Sequence, residues 1–167
     1  MNKFFYITDN SGTIRTRSQL WMGSINLLAY DVKDMVTQVL NNLGPDDRIQ
    51  HLLITGYGRP GFQSVGSGIH NDNSGGRIIQ IGGDGHILAP ANQYLSRLNR
   101  KFISGGYLTL GGEGVGQDPR LLQQLSMLLS GIYVQAGTRN FVSLQPGDQA
   151  QVVRCSFGNT FQGTAIW

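Results

Sequence analysis

Three short runs constrain this chain more than any other feature: "HLLIT" (51–55), "YLTL" (107–110) and "IYVQAGT" (132–138). The first two are nearly continuous in apolar character, and all three run into glycine. A strand apolar on both faces needs cover on both faces, which is the situation of a central strand in a parallel sheet. Between these runs the period changes. Val32, Met35, Val36, Val39, Leu40 and Leu43 recur at helical spacing, with Asp31 as the expected N-cap and Gly44-Pro45 as the stop. Pro90 opens a second helical pattern with Tyr94, Leu95, Leu98 and Phe102 as its stripe. Asp118-Pro119 opens a third, carrying Leu121, Leu122, Leu125, Leu128 and Leu129. Helices alternating with short apolar strands predict right-handed βαβ crossovers. The expected class is α/β, with a mainly parallel sheet and helices on both faces.

The rest of the chain reads as strand and turn. "KFFYIT" (3–8) is a first strand, and "TIRTRSQLWMG" (13–23) alternates enough to predict an outer second strand. "GYGRPGFQSVGSG" (56–68) has five glycines in thirteen residues and reads as a loop built for close backbone approach. "GRIIQIGGDGHILA" (76–89) predicts two strands around a "GGDG" hairpin turn. "FVSL", "QVVRCSF" and "TFQGTAIW", ending at Trp167, predict a C-terminal set of short antiparallel strands. At 167 residues, with no repeat or linker, the expectation is one domain over 1–167, with the initial methionine as a native start.

Composition removes several classes of function. Ten Arg and three Lys face nine Asp and one Glu, but the arginines are scattered singly, so no basic stripe marks a nucleic-acid binder. Only 14% of residues are charged, and Gln and Asn supply much of the polarity, a balance that suits packing against other subunits. Cys155 is the single cysteine, which rules out an intrachain disulfide and a multi-cysteine zinc site. The apolar run at the N-terminus is four residues long, too short for a signal-peptide core or a membrane span. The expected location is the cytoplasm, or a particle assembled there.

Sites on an open parallel sheet form beyond the carboxyl ends of its strands. "TGYGRPG" and "GGEGVGQD" follow two such ends, so Tyr57 and Glu113 face one crevice if their strands are neighbours, with Arg59 and Phe62 beside them. Glu113 is the chain's only glutamate. A structural role suffices for it: a carboxylate near the helix opening at Pro119 gains roughly 0.3–1 kcal/mol from the dipole, and pairing with Arg59 is the other option. The glycine-rich loop lacks the Gly-Lys-Ser/Thr ending of a phosphate-binding loop, so no nucleotide site is expected. His70 with Asp72 and His86 with Asp84 read as turn polarity rather than metal or acid-base pairs. Cys155, in "VVRCSF", reads as a small buried hydrophobe.

From "HLLITGYGRPG" through "GGYLTLGGEGVGQDPRLLQQLSMLLSGIYVQAGT", about residues 51–138, the chain resembles the caspase-like (clan CD) cysteine-peptidase fold, particularly the small caspase-like domains of large bacterial surface proteins and toxins. The resemblance implies a three-layer sandwich. It also implies that one strand ends at a catalytic histidine followed by glycine. A later strand ends at a nucleophilic cysteine, before a leucine-striped helix and a strand ending in a small turn. Here those positions hold Tyr57 and Glu113. A phenol with a reference pKa of about 10 and a carboxylate of about 4.3 supply neither a thiolate nor a neutral-pH proton carrier.

The expectation is therefore a catalytically inactive caspase-like domain of bacterial or phage origin, a protein-binding or assembly subunit of a larger complex. Its expected partners are other protein chains, including copies of itself paired through an edge strand, with no cofactor, metal, nucleic acid or membrane. Two alternatives stay open. One is a hydrolase using Glu113 as acid or base. The other is a small-ligand or carbohydrate-binding module using Tyr57, Arg59 and Phe62.

Overall fold

The apolar runs become neighbouring strands. In a computed structural model that describes residues 1–10, 23–138, 149–156 and 159–166, the chain runs β1 (Asn2–Asp9), β2 (Ile25–Ala29), α1 (Val32–Asn41), β3 (Arg48–Thr55), β4 (Gly58–Arg59), β5 (Phe62–Ser64), β6 (Ile78–Gln80), α2 (Ala91–Leu95), β7 (Phe102–Leu110), α3 (Pro119–Leu128), β8 (Tyr133–Gly137), β9 (Gln149–Ser156) and β10 (Asn159–Ile166). The main sheet has the order β2-β1-β3-β7-β8-β9-β10, and β4-β5-β6 form a small separate sheet. β2, β1, β3, β7 and β8 are mutually parallel, whereas β9 and β10 join antiparallel. The protein is thus mixed α/β with a mostly parallel sheet.

Register explains the core. Phe5 lies opposite Leu52, Leu52 opposite Leu108, Leu108 opposite Val134 and Val134 opposite Cys155, so all five share one face. That face packs into one cluster with Met35, Val36 and Val39 of α1, Leu95 of α2, and Leu121, Leu122 and Leu125 of α3. Burying a side chain of this size stabilises by roughly 1.5–3 kcal/mol. Asp31 and Asp118 cap α1 and α3, each carboxylate accepting a backbone N–H from the first turn, of Asp34 and Arg120 respectively.

Several details depart from expectation. The three helices join the same face of the sheet rather than both. The steps β2 to β3, β3 to β7 and β7 to β8 all move the same way along the sheet, and right-handed crossovers that advance in one direction put their helices on one side. β2 lies at 25–29, outside the expected 13–23, most of which is outside the described residues, as are "FVSL" and Trp167. The glycine-rich stretch after β3 contains the hairpin β4–β5. Beyond β6 the expected second strand reduces to a single bridge, Ile81 with Ile87. Phe102 starts β7 instead of ending the second helix, which stops after a 3-10 turn at Ser96–Leu98.

The other face of the sheet carries a row of rings. Phe4, His51, Tyr107 and Tyr133 stand side by side across four parallel strands, with the Tyr107 and Tyr133 rings stacked 5.1 Å apart. One step along, His51 Nε2 shares a 2.6 Å hydrogen bond with Thr109 Oγ1. Gln135 Nε2 donates to the same hydroxyl, and the Arg154 guanidinium donates to Gln135 Oε1. Burial among these groups lowers the His51 pKa from 6.5 to about 4.

A depressed histidine pKa means that the unfolded chain takes up the proton first. Stability should then fall as pH drops from 6.5 towards 4, by up to about 1.4 kcal/mol per pH unit. Urea unfolding at pH 7 and pH 4.5 should show a smaller difference for His51→Gln than for the parent chain. Asp47 acts in a lower window. The Gly44 N–H, and then Lys3, hold it at about 2, so its contribution is lost only below the usual 3.8. Removing the α3 cap with Asp118→Ala should cost about 1 kcal/mol in the same assay.

Candidate functional site

β3 and β7 are neighbours, so their exits lie side by side. Ile54 is opposite Leu110, and Gly111 N–H donates to Ile54 O at 2.7 Å. The two glycine-rich segments then meet backbone to backbone. A Cβ placed on Gly58 would stand 2.5 Å from Gly112 Cα, and one on Gly112 would stand 2.6 Å from Gly58 Cα. Any side chain at either position would force the segments apart. Tyr57 immediately precedes this junction on one side, and Glu113 immediately follows it on the other.

The junction is clasped by Gln63, which is fully buried. Its Oε1 accepts from Gly112 N–H at 2.8 Å, and its Nε2 donates to Ser64 O at 2.8 Å and to Tyr57 O at 3.4 Å. One carboxamide thereby ties the segment carrying Tyr57 to the segment carrying Glu113. The small sheet is anchored to β1 as well: Ser64 Oγ donates to the buried Asp9 carboxylate at 2.7 Å, and Ser67 N–H donates to Asn10 Oδ1 at 2.8 Å. Sequence reading missed Gln63. The available signal was alternation, since Phe62 and Ser64 face outward while Gln63 and Val65 face inward.

The four expected site residues come to the same end of the sheet. Tyr57 is 54% exposed. Arg59 is opposite Phe62 in the β4–β5 hairpin, and its guanidinium carbon lies 4.3 Å from the Phe62 ring centroid. Glu113 is exposed at the tip of its turn, followed by Gly114 at φ +69°, a left-handed conformation that suits glycine. A 3-10 turn over Val115–Gln117 separates Glu113 from α3.

Among the described residues, Glu113 neither caps α3 nor pairs with Arg59. The N-terminus of α3 is held by Asp118, which also pairs with the Arg120 guanidinium at 2.8 Å and is kept below the usual carboxylate range first by that hydrogen bond. Arg59 is stacked on Phe62 instead of paired with Glu113. No described residue hydrogen-bonds or ion-pairs with Glu113.

The remaining candidates lie elsewhere. Cys155 is buried on the helix-covered face, 3.4 Å from Thr160 Oγ1, and burial pushes its thiol upward. That suits packing and opposes thiolate chemistry. Asp84 accepts the backbone N–H of His86, and Asp72 accepts both the N–H and the hydroxyl of Ser74, so both carboxylates serve turns. Among the described residues no group of three His, Cys, Asp or Glu side chains could hold a metal ion, and no helix is long and apolar enough to cross a membrane. Neither the 420 Å³ cavity beside Asp31, Asp34 and Asp72 nor the 340 Å³ cavity beside Arg100 is lined by Tyr57 or Glu113.

Because the junction has no spare room, Gly58→Ala and Gly112→Ala should each destabilise by roughly 1–3 kcal/mol. Gln63→Leu should cost a similar amount, about 1–3 kcal/mol, by leaving the Gly112 N–H buried without an acceptor. Glu113→Gln, at the surface, should stay within about 0.5 kcal/mol of the parent. Chemical denaturation of the four variants checks the ranking.

No protein-family model, curated protein or solved structure matches this chain.

Proposed function

We propose that the chain is a caspase-like domain without peptidase chemistry, acting as a protein-binding or assembly subunit of a larger complex. The observation that carries this reading is the placement of Tyr57 and Glu113 on either side of one backbone junction, at the exits of neighbouring parallel strands. Those are the two positions where the resemblance implies a histidine and a cysteine. The leucine-striped α3 and then the strand β8, ending at Gly137, follow Glu113 along the chain and support the reading. Near this junction the surface offers a phenol, a carboxylate and an arginine, which recognise partners and carry no nucleophilic dyad. Exposed Tyr and Arg are residue types that dominate binding energy at protein interfaces.

The hydrolase reading fits less well. A general acid or base needs an enclosed position close to a substrate, and Glu113 stands in solvent with no described group to orient it. The small-ligand reading lacks an enclosed site, since neither the 420 Å³ nor the 340 Å³ cavity is lined by Tyr57, Arg59 or Phe62.

A peptide library digested with the purified protein and read by mass spectrometry separates the classes. The parent chain, Glu113→Gln and Cys155→Ala should all leave the library intact. Cleavage by the parent that disappears in either variant would overturn the binding reading and identify the essential group.

A further inference from the structure

Among the described residues, charged groups of both signs stand at both ends of the parallel strands, with Arg59 and Arg120 among those at the carboxyl end. At the carboxyl end, five aspartates have donors of their own. Asp9 accepts from Ser64, Asp31 from Asp34 N–H, Asp34 from Tyr30 N–H and Gln38, Asp72 from Ser74, and Asp118 from Arg120. Glu113 stands apart from them, projecting from a glycine-flanked tip with no described partner. At the amino end, Asp47 is taken by Lys3 and the terminal amine, and Arg48 donates to the carbonyls of Pro45 and Asp47. Asp46 is exposed there as well. Arg100 and Lys101, exposed just before β7, have no described side-chain partner.

Glu113 and Arg100 flank the two ends of the same strand. Nine residues of β7 span roughly 25–30 Å at about 3.3 Å each, far beyond the screening length of about 8 Å at physiological salt. They cannot neutralise each other within one molecule. The amino end also has a receptacle. A 340 Å³ cavity is lined by Arg100, Ser104 and Ser130, with Phe102, Leu129 and Ile132 as its nearly buried apolar floor. An exposed carboxylate on one face is the charge complement of a cavity lined by an exposed arginine on another.

We propose that copies of this chain associate head to tail, with the Glu113 tip of one seated in the Arg100-rimmed cavity of the next. The inference rests on the assembly reading above and names a second copy as the partner. The contact joins two different surfaces, so it repeats and yields open chains, or rings if the rotation closes. Lys101 beside Arg100 adds attraction, while Asp46 and Asp47 sit at the same end without displacing it, Asp47 being already paired. Contacts carried by surface charge are modest and screened by salt, so the association should be concentration-dependent and loosen several-fold between about 50 and 500 mM salt.

Sedimentation velocity of the intact protein up to about 1 mM tests this, beside Glu113→Arg and Arg100→Glu, each checked for an unchanged circular dichroism spectrum. The parent should self-associate, and each charge reversal should weaken association by about tenfold or more. An equimolar mixture of the two variants should associate again, because each supplies the end that the other has lost. A parent that stays monomeric, reversals that associate like the parent, or a mixture that stays as weak as its components would each overturn the head-to-tail contact. A monomeric parent that also cleaves no peptide would leave the binding reading standing with a different protein as partner.

Discussion

Parallel pairing of Ile54 with Leu110 brings the exits of β3 and β7 to the same height, and the two glycine segments beyond them then touch backbone to backbone at Gly58 and Gly112. That contact has no slack, because neither residue can carry a Cβ. Gln63 closes it with one buried carboxamide, accepting the Gly112 N–H of one segment and donating to the Tyr57 carbonyl of the other. The small sheet β4-β5-β6, the tie from Ser64 to Asp9 and the outward presentation of Tyr57 and Glu113 all follow from where this junction sits. A buried amide with satisfied hydrogen bonds is costly to disturb, since each group it releases is left without a partner.

The one-sided helix layer has its own consequence. With α1, α2 and α3 on the same face, the opposite face carries side chains of a different kind. His51, Tyr107, Tyr133, Thr109, Gln135 and Arg154 line up across β3, β7, β8 and β9 and satisfy one another through rings and hydrogen bonds. The rings of Tyr107 and Tyr133 use their faces on each other, so the row works as a ladder of cross-strand pairs, the form in which sheets gain side-chain stabilisation. The cost appears at His51, whose burial makes protonation unfavourable and ties stability to mildly acidic pH.

Much of the scaffold was legible in the residues. The stripe of α1 and its cap at Asp31, the stripe of α3 and its cap at Asp118, and the strands at 51–55 and 107–110 were visible because period and capping are local properties. β2 was missed because "INLLA" is a five-residue run wedged between a turn and a helix, too short to declare a period. The misplaced Phe102 has a similar origin: an apolar residue at helical spacing says nothing of the left-handed turn at Arg100, φ +65°, that precedes the strand. Of the site, the two glycine-rich exits and the exposed positions Tyr57 and Glu113 were readable. The clasp by Gln63 was not, since a glutamine in a glycine-rich stretch looks like solvated loop until its neighbours are known.

By itself the sequence determined the alternation of helix and strand, the glycine endings that permit two backbones to touch, and the absence of a thiol or imidazole at Tyr57 and Glu113. These are written residue by residue, in side-chain volume, branching and ionisable groups. The tertiary structure alone decided which strands are neighbours, that the helices share one face, that Glu113 has no donor among the described residues while five aspartates at its end have them, and that Arg100 lies at the far end of the same strand. Those outcomes depend on crossover direction and on contacts between residues tens of positions apart, and local periodicity carries no record of either.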